Sequence, residues 1–267
     1  MHRLFFWLIV LGGLVLFALI VYNAMGPPER EVIVQHPSLP EPTPPAAPEI
    51  RYPVTEMSAG TPLPALDTSD ATLKNSVAEL LPDSALANLP VFKDFVRHVV
   101  ATVDNLSRRS AAPRLWPLKP APGHFKVNGG DEHFTIAPDN FTRYSIYVRL
   151  AESVDSARLA AIYLRYYPLF QQAYRDLGYP KAHFNDRLVE VIDHLLSTPE
   201  AQDTIALVRP KVFYEYADPD LEKRSAGQKI LIRAGTENAR RIKAKLREFR
   251  GEITGNPAKP KGEWKTQ

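Results

Sequence analysis

No cysteine occurs in the 267-residue chain. That excludes disulfides, cysteine-ligated zinc or iron–sulfur centres, a thiol nucleophile and a lipidated cysteine anchor. Charge of one sign is also scarce: 33 Lys and Arg face 30 Asp and Glu, a formal net charge of +3. This is small for the electrostatic footprint of a nucleic-acid binder, although a sequence pI near 9.0 leaves a mild basic bias. Glycine is sparse, and neither Gly129-Gly130 nor Ser225-Ala-Gly-Gln-Lys229 forms a phosphate loop; the second lacks the upstream glycine. A G-x-S-x-G nucleophile elbow, a kinase-like motif set and a repeat of solenoid period are absent from the sequence. No cofactor is expected.

What the chain does have is one long apolar run. Leu4 to Tyr22 carries no charge, and as a helix it matches the hydrocarbon thickness of a bilayer. Trp7 and Tyr22 lie near its ends, where amphipathic rings favour the interface. A cleaved signal peptide is the alternative, but the run exceeds the usual apolar core, and Pro27 follows the Ala24-Met25-Gly26 cut. Arg3 precedes the span, whereas Glu29, Arg30 and Glu31 follow it, so the positive-inside rule puts the N-terminus in the cytoplasm. The lipid bilayer is therefore the first expected partner, through residues 4–22.

Proline is concentrated next. Eleven of the 39 residues from Gly26 to Pro64 are proline, which favours extended polyproline II over helix or sheet. Fully extended, this stretch reaches roughly 120 Å. The expected organisation is a cytoplasmic tip and anchor (1–25), a Pro-rich disordered stalk (26–64), a helical periplasmic domain (65–250) and a basic disordered tail (251–267).

The domain is expected to be mainly α, a multi-helix unit with one short β-hairpin. Ser69 caps a helix to about Leu81, and Pro90 opens another through Asn105. Residues 124–136 alternate as a hairpin turning at Asn128-Gly129-Gly130-Asp131. Further helices follow: Pro138 to about Ser153; one capped by Asp155, kinked at Pro168 and ending before Gly178; His183 to Ser197; Asp218-Pro219 to near Gly235; and one capped by Thr236 to about Arg250. Thr204 to Val208 reads as a short strand.

Several stretches are distinctive: Ala101-Thr-Val-Asp-Asn-Leu106, Tyr167-Pro-Leu-Phe-Gln-Gln-Ala-Tyr174, Gly178-Tyr-Pro180, Phe184-Asn-Asp-Arg-Leu-Val-Glu-Val-Ile-Asp-His-Leu-Leu196, Tyr214-Glu-Tyr-Ala-Asp-Pro219 and Ser225-Ala-Gly-Gln-Lys229. In this order they resemble the proteobacterial family catalogued as domain of unknown function number 3014, over roughly residues 62–250. The resemblance implies a Gram-negative envelope protein with an N-terminal anchor. It carries no activity, ligand or catalytic residue.

The helix at 183–197 is the best candidate for a site. His183, Asp186, Arg187, Glu190, Asp193 and His194 share about 120° of arc at 100° per residue, opposite an apolar stripe. Glu190 and His194 stand four apart like two metal ligands, and carboxylate with imidazole suits acid–base work. The metalloprotease signature H-E-x-x-H is absent, no metal is assigned, and a solvated or ion-paired face explains the stripe. On the helix at 156–177, Leu159, Tyr163, Tyr166, Tyr167, Phe170, Tyr174 and Leu177 follow the spacing of a core seam. Were some of these rings exposed to stack on sugars, Tyr166, Tyr167, Tyr179 and Trp116 would be the places to look. From Arg240 to Lys265, nine basic residues stand against three acidic ones, read as a solvated helix face and tail.

The leading expectation is a non-enzymatic binding or scaffold protein of the cell envelope, with an envelope protein or peptidoglycan as partner. The alternatives are an enzyme acting on an envelope polymer, with an acid pair from Asp186, Glu190 and Asp193 and with His183 or His194, and an accessory subunit of a membrane complex.

Overall fold

The computed structural model describes residues 49–54, 62–82, 85, 90–130, 133–200 and 204–255. By its internal contacts the chain divides into residues 1–46 and 47–267, and all described residues belong to the second unit. The apolar run at 4–22, most of the stalk and residues 256–267 lie outside the described residues. Among the described residues, no helix is long and apolar enough to cross a membrane.

Eight α-helices and a small antiparallel sheet make up the described fold. In chain order they are α1 (Asp70–Ala78), α2 (Phe95–Leu106), β1 (Val127–Gly130), β2 (His133–Ile136), α3 (Asp139–Ser153), α4 (Ser156–Asp176), α5 (Phe184–Leu196), β3 (Ala206–Val208), β4 (Glu215–Tyr216), α6 (Pro219–Glu222), α7 (Ala226–Ala234) and α8 (Thr236–Ile253). The mainly helical class is as expected, but the lone hairpin is corrected to a four-stranded sheet of order β1-β2-β3-β4. Val127 pairs with Ile136 and Gly130 with His133, so Asn128 to Gly130 are strand rather than turn. Phe134 pairs with Leu207, and Leu207 with Tyr216.

Helix α4 is central because its apolar side chains cover more than one face. Ala160, Tyr163, Tyr166, Leu169, Phe170, Ala173 and Tyr174 are all buried, in a core shared with Leu73, Val96, Val100, Phe184, Val189, Ile192 and Ile253. Phe170 and Phe184 stack at 5.9 Å, and Tyr163 meets both. A second cluster (Ile136, Ile205, Leu207, Tyr216, Ile232) seats the sheet on α7. Asn140 is fully buried and ties the hairpin to α3. Its amide donates to the carbonyls of Lys126 and Ala137, and its oxygen accepts from the Lys126 amide.

Helix ends explain where the expected boundaries move. Asp155 and Asp218 accept from backbone amides two or three residues on, as N-caps do. Ser69 instead turns its hydroxyl back to the Leu66 carbonyl, and α1 stops at Ala78. Pro90 does not open α2: it pairs with Leu118 in an isolated bridge, and α2 begins at Phe95. The α2 cap comes from afar, because the Asp70 carboxylate accepts the amides of Asp94 (2.8 Å) and Phe95 (2.9 Å). Helix α4 runs unbroken through Pro168. The expected helix at 218–235 is two, since Ser225 leaves helical geometry and caps α7 by accepting from the Gln228 amide. Gly235, not Thr236, precedes α8, which extends past Arg250 to Ile253.

Candidate functional site

Helix α5 does gather charge on one side, but its side chains diverge to separate partners. Arg187 reaches α2. Its Nε stands 3.1 Å from the Asp104 carboxylate, and its Nη2 donates to the Asp104 carbonyl (2.9 Å) and the Ser107 hydroxyl (2.7 Å). Its Nη1 holds Glu190 at 2.9 Å. Asp104, 4% exposed, also accepts from Arg108 (2.6 Å) and the Tyr179 hydroxyl (3.2 Å). Tyr179 stacks on Tyr174 at 4.6 Å. The neighbouring carboxylate raises Arg108 further above its usual value. Burial, reinforced by Asp104, pushes the Tyr174 phenol up to about 12.

Asp186 points the other way, at residues 49–54. Its carboxylate accepts the Tyr52 amide at 2.7 Å and the Arg51 amide at 3.1 Å. Next to it Asn185, 0% exposed, donates to the carbonyls of Tyr52 (3.0 Å) and Ile253 (3.3 Å) and accepts from the Tyr163 hydroxyl (3.1 Å). Arg250 lies over the Tyr52 ring at 5.9 Å and grips Asp193 with two nitrogens, at 2.6 and 2.9 Å. Residues 49–54 thus dock on the helices, which corrects the expectation of a disordered stalk over this part of residues 26–64. A proline count cannot show this, because backbone amides form the contact.

His194 faces a third direction. Its Nε2 is 2.8 Å from the Ser225 hydroxyl, at an open depression lined by Ser107, Arg109, Asp220 and Lys223. Burial first, then Arg187, holds its pKa below the ordinary imidazole value. Since Ser225 accepts the Gln228 amide, its own proton is available to a neutral His194. His183 precedes α5 as its N-cap residue, without a side-chain cap bond. Glu190 and His194 therefore do not converge, and among the described residues no group of three or more His, Asp or Glu is placed to hold a metal ion.

The aromatic seam of α4 is core. Tyr166 is 1% exposed and its hydroxyl meets Ser76 at 2.9 Å, which removes it as a stacking platform. Tyr167 is half-buried and donates to Gln171. Trp116 is half-buried, with its indole nitrogen buried and unpartnered. The basic face of α8 is largely paired: Arg240 with Glu200, Arg241 with Glu152, Lys245 with Glu248, and Lys243 with the Thr198 carbonyl.

Two features escaped the reading of the sequence. One is Asn185, which looked like one polar residue among many. The other is an apolar groove of about 530 Å³ between α1, α2, α3, α4, α5 and α8, lined among others by Val77, Val99, Leu150, Leu159 and Phe249; among the described residues Lys245 is its one charged lining residue. It has no local motif because its walls come from six helices, Phe184 and Leu188 of α5 included, and from the segments at Pro90 and Pro117-Leu118.

No curated protein and no solved structure matches the chain. A family model does match, over residues 95–250, from the first residue of α2 into α8. That is more than half of the sequence, so the chain belongs to the family described as "Protein of unknown function (DUF3014)".

Proposed function

We propose that this protein is a single-pass inner-membrane protein, N-terminus in the cytoplasm, whose helical domain acts in the periplasm as a non-enzymatic binding or scaffold module. The placement rests on the uncharged run Leu4 to Tyr22, long enough to span a bilayer, with Arg3 before it. The observation that carries the binding role is the groove. A concave, nearly all-carbon surface of about 530 Å³ falls in the range of ligand and peptide clefts. The α5 charges support the same reading, since Asp186, Arg187 and Asp193 are committed to the protein's own backbone and ion pairs. The partner is an envelope protein or peptidoglycan, not nucleic acid.

The test is photo-crosslinking in intact cells from probes at Val154 and Leu159 in the groove, with one at exposed Lys181 as control, alongside fractionation. The reading expects full-length chain in the inner membrane, digested from outside in spheroplasts, with adducts from the groove probes alone. A shortened soluble product, or a C-terminal part protected in spheroplasts, sinks the placement. Probes at 154 and 159 that give no more adduct than Lys181 sink the groove.

One contact favours a second reading, an enzyme acting on an envelope polymer: the His194–Ser225 pair at 2.8 Å beside an open depression. The acid pair expected from Asp186, Glu190 and Asp193 lends it no support, because Asp186 and Glu190 both meet Arg51, through its amide and its guanidinium, and Asp193 is held by Arg250.

A further inference from the structure

The turn joining β3 to β4 shows its apolar side chains to solvent. Phe213 is 80% and Val212 77% exposed, and Val208 at the end of β3 is also exposed. Turn tips ordinarily carry Gly, Asn, Asp or Ser. This one reads Arg209-Pro210-Lys211-Val212-Phe213, with no acidic residue between Asp203 and Glu215.

The fold fixes this exposure. Tyr214 packs against Phe134 at 5.3 Å and Phe125 at 6.4 Å, and Arg209 lies 5.8 Å from its ring. Tyr216, two residues on, is buried in the sheet core. With Tyr214 and Tyr216 turned inward, the bend over residues 210–213 leaves Val212 and Phe213 outside the packed face. The register Leu207 to Tyr216 and Val208 to Glu215 holds the tip in place.

We propose that Arg209–Phe213 is a membrane-interface contact, in which Val212 and Phe213 enter the headgroup region of a bilayer and Arg209 and Lys211 meet anionic phosphates. Charge complementarity selects this occupant: an aromatic and an aliphatic side chain flanked by two cations is the composition that interfacial anchors use. A protein groove would accept the Phe and Val, but it would give the paired cations no comparable reason to flank them. The inference does not depend on the groove or on the span at 4–22, because the tip can meet lipid whether or not the chain is anchored elsewhere.

The absence of cysteine makes the test clean. An environment-sensitive fluorophore on Phe213→Cys, and separately on Val212→Cys, is the only thiol label in the full-length chain. The labelled protein is combined with vesicles of phosphatidylcholine alone or mixed with phosphatidylglycerol. The expected result is a blue shift in the mixed vesicles, quenched by nitroxide-bearing lipid. Adding Arg209→Gln and Lys211→Gln should lower the lipid-contacting fraction relative to the exposed one by roughly tenfold or more. A label that stays open to an aqueous quencher in both vesicle types overturns the proposal. So does a blue shift that lipid nitroxides leave unquenched, which would place the tip against protein, either a second copy or another chain.

Discussion

Arg187 binds both the side chain and the main chain of Asp104, reaching its carboxylate at 3.1 Å and its carbonyl at 2.9 Å across 83 positions of sequence. One guanidinium thereby joins α5 to the last turn of α2 and satisfies a nearly buried carboxylate. The pair has the residue types of a catalytic acid site, yet its geometry is that of a clamp: all three guanidinium nitrogens donate within the fold.

Removing one half should therefore destabilise strongly. Arg187→Met is expected to cost about 3 kcal/mol, the lower end for breaking a buried pair, since Arg108 and Tyr179 still serve the carboxylate. Adding Asp104→Leu should recover part of that loss. Denaturant unfolding of the two variants measures both effects. A single-mutant loss below about 0.5 kcal/mol would mean the pair behaves like a surface ion pair.

Asp70 should act as the N-cap of a helix 25 residues away. Asp70→Ala leaves two amides at the start of α2 unpaired and should cost about 1–2 kcal/mol; Asp70→Asn should retain part of it. Amide exchange at Asp94 and Phe95 should accelerate in the alanine variant. Unchanged exchange there would disprove the long-range cap.

Asp186→Ala should release residues 49–54 while leaving the helices folded. The expected readout is faster proteolysis after Arg51 with little change in the unfolding midpoint. Equal cleavage rates in both proteins would show that the two amide bonds do not hold the segment.

Stability should fall on the acid side through His194. Its folded pKa lies below the ordinary 6.5, so the unfolded chain takes up a proton first as pH drops. The contribution is whole above about pH 6.5, declines as pH falls below it, and levels off under the lowered folded value. His194→Gln should flatten that part of the stability–pH curve. Identical slopes in the two proteins would contradict it.

Local signals in the sequence carried well and distant ones did not. Asp155 and Asp218 announce helix starts because donor and acceptor lie within three residues. The Asp70 cap and the docking of Tyr52 on Asp186 are invisible to periodicity, since their partners lie 24 and 134 positions away. Strand β4, two residues long, is too short to show alternation. The break before α7 did have a local signal in Ser225, a good N-cap residue, overridden by the apparent continuity from Pro219 to Gly235. On α5 the polar stripe was legible, but not the three directions in which its side chains leave. Those depend on α2, on Ser225 at the start of α7 and on residues 49–54 arriving from elsewhere.

Asn185 joins two points near the extremities of the described residues, because one amide nitrogen binds the carbonyls of Tyr52 and Ile253. A short linker between those extremities should permit circular permutation with new ends at the exposed loop around Gly123. A pull applied between the same two points would load Asn185 together with the Asp186 and Arg250 contacts of residues 51–52. Cargo fused directly after Gly255 would therefore start beside residues 49–54.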